Sequence, residues 1–245
     1  MAARTRAHAE ANDHVRQQWL MRVEAEYRSA VLTQELTLWL MQAGASPDLI
    51  HDGLRIVEDE LMHAELSMET YLAAGGTKGP TMARETLTLP RRAGEMLEHD
   101  LLRVGVDAFC LGETVAVPLF KNLREGCTVP VARKALDRIL RDEVRHRAFG
   151  WTLLEWMLET PHATSLRGVI ERELPGWFRR IRRSYAPAYA ERLDTIADVD
   201  RAWGLMAPAR YGAVVERTWE RDWKPRFAKL SIDAAPAWER AKTAP

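Results

Sequence analysis

The feature that most constrains this chain is a five-residue pattern that occurs twice. Asp59-Glu60-Leu61-Met62-His63 and Asp142-Glu143-Val144-Arg145-His146 both read Asp-Glu-x-x-His. Residues three apart on an α-helix lie on nearly one face, one turn apart. Each pattern therefore predicts a helix that aims a carboxylate and an imidazole at one place. Glu26 lies 34 residues before Glu60, and Glu113 lies 30 before Glu143. In an antiparallel helical hairpin, residues equally far from the turn are level. Turns near Ala45 and Cys127 balance the two arms in this way, so all six side chains can meet at mid-height. Helical phase selects Glu26 over Glu24 and Glu35, because Glu26 shares the side of Trp19, Val23 and Ala30.

The rest of the chain supports an all-α fold. Apolar positions at helical spacing (Val15, Trp19, Val23, Ala30, Thr37, Met41) predict a first helix over 14–43. Gly44 to Pro47 ends it, with Ser46 as cap and Pro47 as first position of a second helix over 47–73. Gly75, Gly76, Gly79 and Pro80 open a connection over 74–89, long enough to cross from one hairpin to the other. A third helix is expected over 92–124, stopped by Gly126, and a fourth over 130–158, stopped by Pro161. From His162 two or three further helices are expected, divided by Pro175, Pro187 and Pro208. Their Trp177, Trp203, Trp219 and Trp223 should pack on the four-helix core. The whole, 1–245, reads as one domain: a core bundle over about 14–160 and a helical cover over about 161–245.

Composition narrows the setting. Lys and Arg number 35 and Asp and Glu number 35, so no net charge draws the chain to nucleic acid or to an anionic membrane. No apolar run has the length of a membrane span, and Met1 to Glu10 shows no secretion signal. Cys110 and Cys127 make neither a disulfide framework nor a Cys-x-x-Cys pair. A reducing cytoplasm is the expected compartment, with both as thiols.

Four carboxylates converging in an apolar interior cannot all stay charged without cations; desolvation and repulsion would protonate them or open the fold. Two divalent ions supply that balance. Carboxylate oxygens with one imidazole per metal suit iron or manganese better than zinc. A single Glu-x-x-His is common on ordinary charged helix surfaces. Two copies, each preceded by Asp and matched to a level Glu on the preceding helix, make a metal pattern.

In these residues, over about Val15 to Leu158, the chain resembles the ferritin-like di-iron carboxylate superfamily, which includes bacterial multicomponent monooxygenases, ribonucleotide reductase small subunits and aldehyde-deformylating oxygenases. Asp142-Glu143-Val144-Arg145-His146 is particularly similar to the monooxygenase version. The resemblance implies a ferritin-like four-helix bundle, with Glu26, Glu60, His63, Glu113, Glu143 and His146 as ligands of two irons, manganese or a mixed pair. It also implies that Asp59 and Asp142 hydrogen-bond the ligand histidines, reaching across to His146 and His63. No rubredoxin-type Cys-x-x-Cys module accompanies the motif. Ile139 stands where arylamine N-oxygenases carry an extra histidine, and Ser67 where reductase subunits carry their radical tyrosine.

Small residues one turn from the ligands, Ala30, Ser67 and Gly150, together with Val117, Phe109 and Cys110, mark an expected pocket. Pro118, five residues past Glu113, disturbs the third helix. The same features also fit a tolerated kink and close helix contacts, and both readings stand. His8, His14, His51, His99 and His162 lack ligand spacing and are expected at the surface. The basic run Arg179 to Arg183 reads as a solvated helix face or as a docking patch for an acidic electron-transfer protein.

The functional expectation is an oxygen-activating di-iron oxidoreductase acting on O2 and a small organic substrate. Its electrons would come from a separate ferredoxin or reductase, since no flavin or nicotinamide motif is visible. A homodimer is the expected assembly. The alternative is a ferroxidase-like or peroxide-scavenging protein with no organic substrate.

Overall fold

A computed structural model describes residues 10–243; residues 1–9, with His8, and residues 244–245 lie outside the described part. The described residues form helices and no strand. Helix α1 (Asp13–Gln42) begins at Asn12, whose Oδ1 accepts from the Val15 amide at 2.8 Å. It ends before Gly44, which turns the chain at φ +74, a backbone angle only glycine adopts at little cost. Helix α2 (Pro47–Ala73) starts on Pro47, whose missing N–H costs nothing in a first turn; the Ser46 hydroxyl caps no amide.

Helix α3 spans residues 97–125 in three parts: α-helical Leu97–Val104, π-helical Gly105–Glu113 and α-helical Thr114–Glu125. It starts later than the expected residue 92, because Gly94 (φ +79) and a turn closed by Glu95 N to Arg92 O at 3.2 Å occupy that stretch. Helix α4 is Pro130–Glu159. These four close a ring, α1 on α2, α2 on α4, α4 on α3 and α3 on α1. Met41, expected inward, is exposed; Leu36 and Leu40 fill the core in its place.

Four helices follow among the described residues, where two or three were expected: α5 (Ala163–Tyr185), α6 (Asp198–Ala202), α7 (residues 208–229, π-helical over Trp219–Trp223) and α8 (Ala235–Thr243). Pro175 does not divide them. It is buried inside α5, and Glu171, whose carbonyl loses its partner, is exposed. Trp177, Trp203, Trp219 and Trp223 are all buried. Trp219 stacks on Trp238 at 4.8 Å, and Phe227 meets Trp151 of α4 edge-on at 5.1 Å, tying the cover to the four-helix core. Trp19 of α1 donates to the Trp203 carbonyl at 3.1 Å. No described helix is long and apolar enough to cross a membrane. Cys110 and Cys127 are buried thiols, both with pKa pushed up by burial, Cys127 to about 11.

Candidate metal centre

Four helices bring the six acidic and imidazole side chains to one buried point. Glu26, Glu60 and His63 form one group with donor atoms within 4.8 Å of one another; Glu60, Glu113 and His146 form a second. Glu60 belongs to both. Its Oε2 lies 3.6 Å from His63 Nδ1 and its Oε1 3.3 Å from His146 Nδ1. Glu143 Oε2 lies 3.8 Å from the same His146 nitrogen, as does Glu113 Oε2. The two imidazole centroids are 5.7 Å apart.

Each ring turns its other nitrogen outward, to an aspartate of the opposite hairpin. His63 Nε2 meets Asp142 Oδ2 at 3.2 Å, and His146 Nε2 meets Asp59 Oδ2 at 3.2 Å. A carboxylate there fixes the proton on Nε2 and directs the Nδ1 lone pair inward. Two arginines on α4 hold the aspartates in turn. Arg145 Nη2 donates to Asp59 at 2.5 Å and to Asp142 at 3.3 Å; Arg138 donates through Nε to Asp142 and through Nη2 to Asp59 at 3.4 Å. Burial opposes both aspartate charges, but the partner histidines and these arginines hold Asp59 and Asp142 below the usual carboxylate range.

The inner atoms are a different matter. Glu60 Oε2, His63 Nδ1, Glu143 Oε2 and His146 Nδ1 are buried with no hydrogen-bond partner. A polar atom left so costs about 1–3 kcal/mol. The same strain shows in the titration. Burial and neighbouring Glu60 push the Glu26 carboxyl up to about 8, and burial and adjoining Glu113 push Glu143 well above its ordinary range. Burial works against Glu60 too, but the His146 and His63 imidazoles outweigh it and hold Glu60 low. Burial opposes charge on the rings, yet Asp142 behind His63 raises it to about 9, and Asp59 raises His146. Protons thus balance a cluster whose unsatisfied atoms are hard oxygens and imidazole nitrogens, the donors of a divalent metal site. The residues fit two ions, one in each group.

The π-helical stretch ends on Glu113 itself, so the break in α3 lies before this carboxylate; Pro118 sits beyond it, inside the following α-helical part. Cys110 Sγ donates to the Gly150 carbonyl at 3.1 Å, and a Cβ on Gly150 would lie 2.7 Å from Phe109. Gly150 therefore allows α4 to touch the π segment and leaves no void there. Open space lies elsewhere. A cavity of about 510 Å³ meets Glu113 and is bounded by α1, the crossover, the π segment and α5. Phe109 is on its wall; Ala30, Ser67, Cys110, Val117 and Gly150 are not. Ala30, Ser67 and Cys110 are buried in packing, and Val117 is half-buried.

Several residues had no signal at the level of spacing. Arg138 stands one turn before Asp142, and its role depends on which helix faces it. Tyr185, at the end of α5, is half-buried within electrostatic reach of Glu113, Glu143 and Glu26; desolvation first, then those carboxylates, push its hydroxyl above its ordinary range. Tyr27, next to Glu26, is exposed. The basic run is neither wholly solvated nor free: Ile181 is buried, Arg180 pairs with Asp107 at 2.7 Å, and Arg182 pairs with Glu216. His99, expected at the surface, is half-buried against Ser165 Oγ at 2.7 Å, and His14 lies 3.0 Å from Asp200.

No family model, curated protein or solved structure matches the chain.

Proposed function

We propose that this protein is an oxygen-activating oxidoreductase built on a ferritin-like bundle, with two iron ions held by Glu26, Glu60, His63, Glu113, Glu143 and His146. The observation that carries the reading is the position of Glu60, shared by two donor groups whose buried imidazole Nδ1 atoms have no hydrogen-bond partner among the described residues. Bound iron would supply redox chemistry with O2, balanced overall as R–H + O2 + 2 e⁻ + 2 H⁺ giving R–OH + H2O. An external ferredoxin or reductase would deliver the electrons.

The chain's own residues divide the work. The four glutamates offset the charge of two cations. Asp59 and Asp142 orient the histidines and increase their basicity. Glu113 meets the cavity, whose size suits a small organic molecule. That cavity favours substrate oxidation over iron handling, which needs no enclosed organic site.

Anaerobic loading with Fe(II), followed by metal analysis, should find two ions per chain. After reduction and exposure to O2 both ions should stay bound. A wild-type chain that takes up neither iron nor manganese would refute the metal centre. Iron that leaves or grows into a mineral on oxidation would favour the ferroxidase-like reading.

A further inference from the structure

We propose that the cavity beside Glu113 binds an amphipathic organic carboxylate, and that Arg28 takes its carboxylate group. The idea rests on the oxidoreductase reading for the fate of the ligand but not for its binding.

The wall is apolar where it is most buried. Phe109, Trp177 and Leu89 are buried, and Leu32 and Val104 stand beside them. Such a surface takes the hydrocarbon part of a ligand. The wall also carries four arginines, and three are matched within it. Arg92 grips Glu173 with both terminal nitrogens at 3.0 and 2.9 Å. Arg103 donates to Asp100 at 2.7 Å and to Glu173 at 3.0 Å. Arg180 pairs with Asp107 at 2.7 Å.

Arg28 differs. Its Nε donates to Thr86 Oγ1 of the crossover at 3.3 Å, which anchors the guanidinium. It forms no ion pair among the described residues, and both Nη groups are left without a protein partner. Once the internal pairs cancel, Arg28 is the cation of the cavity without an ion pair among the described residues; Glu113 belongs to the donor group with Glu60 and His146. A guanidinium held by Nε presents its other two nitrogens as a planar fork, the match for one carboxylate. A phosphate dianion would need a second cation, and the other three are committed. The ligand would lie with its anion at Arg28 and its apolar body running along the wall past Phe109 toward Glu113.

The test uses full-length protein, metal-loaded and metal-free, with 4-phenylbutyrate and its neutral counterpart 4-phenylbutan-1-ol as calorimetric probes. The carboxylate should bind at least about tenfold more tightly than the alcohol, as expected for a charge-assisted contact. Arg28→Met should cut carboxylate affinity about 10–100-fold and leave the alcohol within about twofold. Arg28→Lys should recover part of the loss, which separates loss of charge from disturbance of α1. Ala108→Trp, filling the mouth, should weaken both probes. Equal affinity for the two probes would overturn the proposal, as would indifference to Arg28→Met or to Ala108→Trp. So would carboxylate binding that appears only with metal and ignores Arg28, since the metals would then be its ligand. Binding through Arg28 in a protein whose loaded form never reacts with O2 would leave this site standing and remove the oxidoreductase reading instead.

Discussion

The two hairpins contribute the same donors and carry them differently. In the first, Glu26 rides on α1, an unbroken helix of 30 residues, and does not reach the cavity. In the second, Glu113 closes a nine-residue π stretch and forms part of the cavity wall. A π turn widens the helix and re-aims the side chains that follow, and such turns gather at functional sites. The lesson is that the repeated motif sets two adjoining donor groups, and the π stretch in one of the four core helices makes one of those groups accessible. Glu60, shared by both groups, is the hinge of the comparison.

The largest effect should come from removing that shared carboxylate. Glu60→Ala is expected to abolish uptake of both metals, whereas Glu26→Ala or Glu113→Ala should each lose about one, as read by metal analysis after anaerobic loading. Equal losses in all three would break the two-group description.

Next in size is the pH response of the metal-free protein. Glu26 is raised from 4.5 to about 8 and His63 from 6.5 to about 9. Both folded-state values lie above the unfolded ones, so the stability they contribute is full at low pH and is lost as pH rises through them. Glu60 and Asp142 are held low, and their contribution is already complete above about pH 5. A tenfold difference in proton affinity between folded and unfolded chains is worth about 1.4 kcal/mol. Melting with a chelator should therefore weaken by a few kcal/mol between about pH 6 and 9. With metal bound the decline should vanish, because ligand atoms are then deprotonated. A chelated protein whose melting temperature is level or rising over that range would contradict the proton-balanced cluster.

Gly150→Ala probes the irregular side alone. The added methyl would press on Phe109 and Cys110 of the π segment, at 2.7 and 2.9 Å. Thermal unfolding should show a loss of about 1–3 kcal/mol, with the Glu113 group losing metal before the Glu26 group. A neutral result would mean that the π segment yields freely.

The smallest expected effects test the crossing of aspartates. Asp59→Asn and Asp142→Asn should each weaken metal binding about 10–100-fold. Asp59→Asn should be non-additive with His146→Ala and additive with His63→Ala, and Asp142→Asn should show the reverse. Pairing within one hairpin would give the opposite cycle.

Much of the site was legible because a three-residue spacing and a matched distance to a turn translate directly into helical geometry. Glu26, Glu60, His63, Glu113, Glu143 and His146 are the residues that the structure brings together. The π stretch was not legible, since a change in backbone hydrogen-bond register has no side-chain signature; Pro118 drew attention to the neighbouring turn instead. The cavity was misplaced for a related reason. Small residues next to ligands mark close packing as readily as space, and the actual wall needs Leu89 and Pro90 from the crossover and Trp177 from α5. Even the glutamates set aside as ligands have a use that spacing does not disclose. Glu24 accepts from the Thr81 amide at 2.9 Å and Glu35 from the Leu89 amide at 2.7 Å, so both fasten the crossover to α1.

The crossed aspartates have one more consequence. Asp59 serves the histidine of the second hairpin and Asp142 that of the first. Neither helix pair is self-sufficient: alone, each would bury an imidazole whose outer nitrogen faces nothing and strand an aspartate with no ring to hold. Two such pairs laid back to back repair each other. The polypeptide thus contains, within a single strand, the reciprocal bargain of a twofold dimer, and the crossover of residues 74–96 serves to keep the two parties at a fixed local concentration.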